Sequence, residues 1–166
     1  VDCRIFEKNP DVGGTWWENR YPGCGVDTPN LTYTFSFAEW DWAHYFPLQS
    51  EILDYLDATR DRFGIDSLVS FSTDVERAVW DEQSRQWAVH VVTDDSTREV
   101  HRADLLISAV GILNQPQVPD IPGLDSFPGI VAHTSNWPEG LDLKGKKVAV
   151  VGNGASGMQV VPALAP

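Results

Sequence analysis

The sequence has little cysteine, and the few thiols that it has are poorly placed for chemistry. Its two cysteines, Cys3 and Cys24, do not form a C-x-x-C pair, which excludes a dithiol redox motif and a cysteine-based metal knuckle. His44 has no second His, Cys or carboxylate at ligand spacing, so we predict no metal site. Sparse, unpaired cysteine is typical of a reducing compartment, and we expect a cytoplasmic protein.

Positive charge and long apolar runs are also missing. The sequence has 12 basic and 24 acidic residues, and the resulting formal charge of -12 disfavours nucleic acid and anionic membranes as partners. No apolar stretch approaches the roughly 18 residues of a membrane span, and we expect neither a targeting signal nor a membrane span in the chain as given. The chain opens within a strand and stops early in a helix, so we interpret it as an internal fragment.

What the sequence does contain is a segment between Phe127 and Pro138 whose spacing fits neither a helix nor a strand. Its prolines and glycine indicate an ordered linker. The pattern F-x-G-x-x-x-H-x-x-x-W-P resembles, at every fixed position, the fingerprint of Baeyer-Villiger monooxygenases, which are class B flavin monooxygenases. Its fixed positions are Phe127, Gly129, His133, Trp137 and Pro138. We interpret His133 as a residue that holds the linker geometry rather than as an acid or base.

A second segment, from Val12 to Pro29, is rich in glycine, aromatic and small polar residues and has no regular period. Such loops usually bind a ligand, because glycine permits close backbone approach and Trp offers flat apolar surface. The pattern G-G-T-W-x-x-N-x-Y-P-G-x-x-x-D resembles the FAD-contacting loop of the same family. In detail it is most similar to the 4-hydroxyacetophenone monooxygenase branch, which acts on aryl ketones.

The resemblance implies which residues contact FAD. Glu7 ends a predicted strand, where a dinucleotide fold holds the ribose hydroxyls, although a solvated Glu is the alternative. Asp27 is the one catalytic candidate, as the electrostatic partner of an Arg expected downstream of Pro166. Many relatives carry Arg at the position of Gly25. Gly25 has no side chain to make the phosphate or nicotinamide contact that such an Arg would make. The implied FAD residues are Glu7, Gly14, Thr15, Trp16, Trp17, Asn19, Asp27, Tyr33 and Val75.

A glycine loop follows the apolar segment Lys146 to Val151 and precedes a predicted helix. A lone G-x-G-x-x-G is weak, but a strand before it and a helix after it make it a specific signal for a dinucleotide pyrophosphate. The residue that selects NAD or NADP should follow about 20 positions later, so NADPH is implied by the family alone. The implied NADP residues are Gly152, Asn153, Gly154, Ala155, Ser156 and Gly157.

The remaining patterns complete a fold prediction. We expect strands over 1–7 and 104–110, a helix from the N-cap Ser50 to Gly64, alternating strand residues at Tyr33, Phe35 and Phe37, and an antiparallel meander over 69–80, 86–93 and 98–103. The fold class is therefore α/β, a partial Rossmann-like flavoprotein with two dinucleotide-binding domains and a three-stranded antiparallel insert. Its predicted parts are an FAD domain lacking its first strand and glycine loop (1–110), a Pro-rich linker (111–143) and the start of an NADP domain (144–166).

By resemblance, the function is that of an FAD- and NADPH-dependent monooxygenase that uses O2 and a C4a-peroxyflavin to convert ketones, aryl ketones among them, to esters or lactones. One alternative is an N-hydroxylating or heteroatom-oxidising flavin monooxygenase, whose linker usually lacks the Trp-Pro pair. Another is that the fragment alone is a non-catalytic nucleotide-binding module.

Overall fold

The computed structural model of the chain describes residues 2–165, so the predicted strand position Val1 lies outside the described residues. The chain divides into two compact units. The first contains the N-terminal residues up to Gly14 together with Asp57–Ile112, and the second contains Thr15–Leu56 and the residues from Leu113 onward.

The first unit contains both predicted kinds of sheet. Strand β1 (Ile5–Phe6) pairs in parallel with β2 (Val69–Ser70). The predicted meander forms an antiparallel sheet in the order β3 (Thr73–Asp81), β4 (Gln86–Thr93) and β5 (Arg98–Ala103). The parallel sheet and the three-stranded antiparallel sheet confirm the predicted fold class. Alternation along β4 buries Val89 and Val91 on one face of this sheet.

The expected strand over 69–80 is broken where the chain turns. Ser72 has a positive φ of 48°, a conformation that a continuous strand does not tolerate. The residues before it pair with β1, and the residues after it pair with β4. The break therefore separates the parallel sheet from the antiparallel one.

Helix α2 spans Gln49–Phe63, so Ser50 lies inside the helix and is not its N-cap as predicted. Gly64 ends it in the left-handed conformation, with φ of 62°, which glycine adopts at little cost. Ile52 and Thr59 are buried on one face of this helix, whereas Phe63, which has the same helical spacing, is 47% exposed. Tyr55 occupies that face instead, since it follows Ile52 by three positions and is almost fully buried.

In the second unit, the short helix α1 (Thr15–Glu18) and the helix α3 (Ala155–Leu164) flank long loop segments. Its principal apolar cluster is formed by the buried residues Tyr21, Cys24 and Val160.

Three predicted strands are not formed. The segment around Tyr33 follows a 3-10 turn over Asn30–Thr32 and has no strand structure. The apolar segments 104–110 and 146–151 form no strand within residues 2–165, and Ile107 is 78% exposed. The predictions were wrong because an apolar or alternating pattern does not form a strand by itself. A strand also requires a neighbouring backbone to accept and donate its hydrogen bonds.

Candidate functional site

Glu7 is held at the carboxyl end of β1 by its own backbone. Its N–H donates to the Ser70 carbonyl at 3.0 Å, and its carbonyl accepts from the Thr73 N–H at 2.9 Å. The half-buried side chain accepts a hydrogen bond at Oε1 from the Asn9 N–H, 2.8 Å away. The carboxylate is therefore fixed at the end of a parallel strand, where dinucleotide folds place the group that binds ribose.

The loop after Glu7 is anchored by an arginine that sequence reasoning missed. Arg60, on α2, forms an ion pair with Asp11 and further ion pairs with Asp57 at 3.2 Å and Asp66 at 3.4 Å. The loop then reaches Gly14, whose φ is +50° and whose added Cβ would meet no atom within 4 Å. This glycine is required by backbone conformation, and the space beside it is open to a ligand.

In the second unit, α1 displays the predicted Trp pair and places Trp16 against Tyr33. The two rings meet edge to face with centroids 5.6 Å apart. Arg20 lies over the Trp17 ring at 4.4 Å, a cation–π distance. Asn19 caps the turn, because its Nδ2 donates to the Thr15 carbonyl at 2.9 Å.

The loop from Tyr21 to Asp27 is held against the start of α2. The Val26 N–H donates to the Pro47 carbonyl at 3.0 Å, and the Gln49 N–H donates to the Cys24 carbonyl at 2.9 Å. A Cβ added to Gly25 would lie 3.0 Å from the Pro47 oxygen. This close approach leaves little room for the Arg side chain that many relatives were expected to carry at this position.

Asp27 is exposed, and its carboxylate acts electrostatically on the hydroxyls of Tyr21 and Tyr33. Burial raises the pKa of the Tyr33 hydroxyl, and the charge of Asp27 raises it further. Tyr33 therefore keeps its proton and can act as a hydrogen-bond donor.

The glycine loop turns tightly ahead of α3, although the strand predicted before it is not formed. Gly152 has φ of +107°, and a Cβ on Gly157 would lie 2.8 Å from the Gly152 carbonyl oxygen. Gly154 precedes α3, has no atom within 4 Å of an added Cβ and makes no side-chain cap. The first N–H groups of α3 therefore border an open space, which suits the pyrophosphate of a dinucleotide.

One apolar cluster joins three of the motifs found in the sequence. Tyr21 and Cys24 come from the FAD-type loop, and Val160 comes from the helix after the glycine loop. Trp137 of the linker fingerprint packs against them, as do Trp16 and Leu164. Burial raises the pKa of the Cys24 thiol, which keeps it protonated and unreactive.

The linker fingerprint has a structural explanation in this unit. The Ser135 N–H donates to His133 Nδ1 at 3.1 Å, so His133 caps a 3-10 turn over Thr134–Asn136 that leads directly into Trp137. A Cβ on Gly129 would lie 2.5 Å from the Phe127 ring, which therefore covers that glycine. In this structure His133 therefore holds the turn that leads into Trp137, and its role in the enzyme stays a prediction.

A cavity of about 620 Å³ lies elsewhere, on the antiparallel sheet, and its lining includes Arg77, His90 and Arg102 but none of the predicted cofactor residues. Within the part of the chain that the structure describes, no group of three or more His, Cys, Asp or Glu is placed to hold a metal ion. None of the helices of residues 2–165 is long and apolar enough to cross a membrane.

A scan against protein-family models matches residues 2–165 to the flavin-binding monooxygenase-like family. The chain belongs to this family.

Individual members of the flavin-binding monooxygenase-like family support the same assignment. A Baeyer-Villiger monooxygenase from Streptomyces coelicolor is 42% identical over 100% of this chain and 31% of its own length. A phenazine N-monooxygenase from Lysobacter antibioticus is 40% identical over 97% of this chain and 30% of its own length. The crystal structure of cyclohexanone monooxygenase from Rhodococcus sp. Phi1 bound to NADP+ superimposes with a TM-score of 0.86 and 42% identity, over 98% of this chain and 31% of that one.

These comparisons confirm the family resemblance inferred from the two loops and the linker. The chain spans about a third of the length of these relatives. Residues that the motifs did not single out also hold the candidate loops in place. They are Arg60 in the first unit, and Gln49 and Gln159 in the second. The only sequence signal for Gln159 was its position two residues after the last glycine of a nucleotide loop.

Proposed function

We propose that the protein containing this chain is an FAD- and NADPH-dependent monooxygenase that converts ketones to esters or lactones. One atom of O2 enters the product beside the carbonyl carbon, and the other leaves as water with the two electrons of NADPH. The observation that carries the proposal is the shared cluster of Tyr21, Cys24, Trp137 and Val160. It joins the FAD-type loop, the linker fingerprint and the nucleotide-loop helix.

We assign FAD to the segments around Glu7, Gly14 and α1. The fixed carboxylate of Glu7 suits the ribose, and the open space beside Gly14 suits close approach of the cofactor. NADP(H) is assigned to the loop from Gly152 to Gly157. When bound, FAD supplies the redox chemistry that activates O2, and NADPH supplies the hydride.

The chain's own residues bind and orient these groups. Trp16 and Tyr33 present adjoining aromatic surfaces, which exclude water from one side of a ring system. We assign Asp27, whose carboxylate acts on the Tyr33 hydroxyl, to pair with a downstream Arg. The proposal extends to aryl ketones, to a cytoplasmic location, and to the division into an FAD part (1–110), a linker (111–143) and an NADP part (144–166).

The test is Asp27→Ala in the full-length protein, assayed for product and for NADPH consumption. Removing one preorganised electrostatic group lowers turnover by roughly 100-fold, and we expect ester formation to fall by that factor while FAD remains bound. The matched control is Asp54→Ala, which removes the same charge from an exposed position of α2. Normal ester formation by Asp27→Ala would show that Asp27 has no catalytic role.

A second candidate function is oxidation of a ring nitrogen, which the 40% identity to phenazine N-monooxygenase favours. The two functions separate in a competition assay that offers an aryl ketone and an aromatic N-heterocycle to the same enzyme. Ester as the main product supports the first proposal, and N-oxide supports the second. A titration of the isolated chain with FAD tests whether this segment alone binds the cofactor.

A further inference from the structure

Gln159, in the second turn of α3, uses both ends of its side-chain amide. Its Oε1 accepts a hydrogen bond from the Tyr21 hydroxyl at 2.6 Å. Its Nε2 donates to the Gly25 carbonyl at 2.8 Å. Because a carbonyl can only accept, the contact with Gly25 fixes which end of the amide is the donor.

The loop that carries Tyr21 and Gly25 lies directly on the backbone of α3. A Cβ on Gly23 would be 2.8 Å from the Gln159 carbonyl oxygen and 2.9 Å from Ala163 Cβ. Val160, the next residue of the helix, is 2% exposed in the apolar cluster with Tyr21. The amide of Gln159 therefore lies at the edge of the packed contact between this loop and α3, where a hydrogen bond is electrostatically stronger than in water.

The two hydrogen bonds of Gln159 connect two predicted ligand loops, because the bonded residues lie close in sequence to both loops. Gln159 follows Gly157 of the glycine loop by two positions, and Gly25 precedes Asp27 by two positions. Burial raises the pKa of the Tyr21 hydroxyl, and a hydrogen bond with Ser156 of the glycine loop acts in the opposite direction without cancelling it. Tyr21 therefore keeps its proton and can donate to Gln159 at physiological pH.

We infer that Gln159 is a positioning residue that fixes the loop bearing Asp27 relative to the nicotinamide-dinucleotide loop, and so couples NADPH oxidation to oxygen insertion. This inference rests on the proposed function. A shift of about 1 Å in such an arrangement is enough to lower the rate by roughly 100-fold. The coupling, rather than either binding affinity, is therefore the quantity that Gln159 controls.

The test replaces one polar atom at a time in the full-length protein. Gln159→Glu keeps an acceptor for Tyr21 but places a carboxylate oxygen against the Gly25 carbonyl. Tyr21→Phe removes the hydrogen bond to Gln159 Oε1, together with the hydroxyl contacts to Ser156 and Cys24, and leaves the bond from Gln159 to Gly25 in place. Gln83→Glu is the matched control, because Gln83 is exposed on the turn between β3 and β4. The measured ratio is H2O2 released to NADPH consumed, at saturating NADPH, together with FAD content and the Kd for NADP+.

We expect Gln159→Glu to raise the H2O2 ratio at least threefold, Tyr21→Phe to raise it less, and both to retain FAD and NADP+ affinity. An H2O2 ratio equal to that of Gln83→Glu, with both cofactors bound, would overturn the inference. If Gln159→Glu does not fold, an unchanged ratio in Tyr21→Phe overturns it instead.

A second readout separates this inference from the proposed function. A wild-type protein that oxygenates neither substrate class would refute the proposed function but not the positioning role. In that case amide hydrogen exchange decides: Gln159→Glu should speed exchange at Cys24 and Val26 relative to Gln83→Glu. Unchanged exchange at those amides would refute the positioning role.

Discussion

Tyr55 of α2 is a buried residue on which the aromatic side chains of Phe35, Trp40 and Trp42 pack, and removing its hydroxyl is an informative test of this packing. The side chain is 1% exposed. The hydroxyl donates to the Ala38 carbonyl at 3.0 Å and accepts from the Phe35 N–H at 2.7 Å. Trp40 and Trp42 pack on the ring with centroid distances of 5.7 and 4.9 Å. Tyr55→Phe therefore removes two hydrogen bonds while preserving the ring packing.

The expected cost follows from these contacts. A typical hydrogen bond contributes about 1 kcal/mol net, and a buried group left without a partner costs about 1–3 kcal/mol. Ala38 is 2% exposed, so its carbonyl would lose a partner where water cannot replace it. We expect Tyr55→Phe to lower the free energy of unfolding by about 2–3 kcal/mol.

The measurement is equilibrium urea unfolding followed by tryptophan fluorescence, since Trp40 and Trp42 contact the mutated ring. For an m-value near 2 kcal/mol/M, the midpoint should fall by roughly 1 M without a change in m. Tyr45→Phe is the control, because Tyr45 is 61% exposed, and it should change stability by less than about 0.5 kcal/mol. Equal midpoints for the two variants would refute the account of Tyr55.

Two further predictions concern the glycine loop and the meander. Gly154→Ala should weaken NADP+ binding roughly tenfold, about 1.4 kcal/mol, without lowering stability, because its Cβ meets only open space. Gly157→Ala should lower both the NADP+ affinity and the stability, since its Cβ would lie 2.8 Å from the Gly152 oxygen. Calorimetric titration measures the affinity and thermal unfolding the stability. Equal stabilities of the two variants would contradict the packing role of Gly157. Hydrogen bonds from Ser84 and the Arg102 guanidinium lower the pKa of Asp81 to about 2. Because the folded pKa lies below the unfolded one, this stabilisation is present above about pH 4 and is lost as the pH falls toward 2. Asp81→Asn should therefore flatten the pH dependence of the melting temperature in that window, and an unaltered slope would contradict it.

The sequence was most informative where function depends on local backbone conformation. The turn at Gly152, the tight contact of Gly157 and the helix stop at Gly64 are properties of a few consecutive residues, and all three are present. The meander was also predictable, because alternation and turn residues are local signals. The segments 104–110 and 146–151 were not predictable as observed, since strand formation depends on a distant backbone.

By itself, the sequence determined the family, the fold class and the identity of the candidate ligand loops, because motif spacing records what a loop can bind. Only the tertiary structure showed that His133 caps the turn leading to Trp137, that Arg60 anchors the loop before Gly14, and that Gln159 contacts a loop 134 positions away. The physical reason is range. Glycine conformation and helix capping act over a few residues, whereas hydrogen bonds between distant segments exist only after the chain has packed them together.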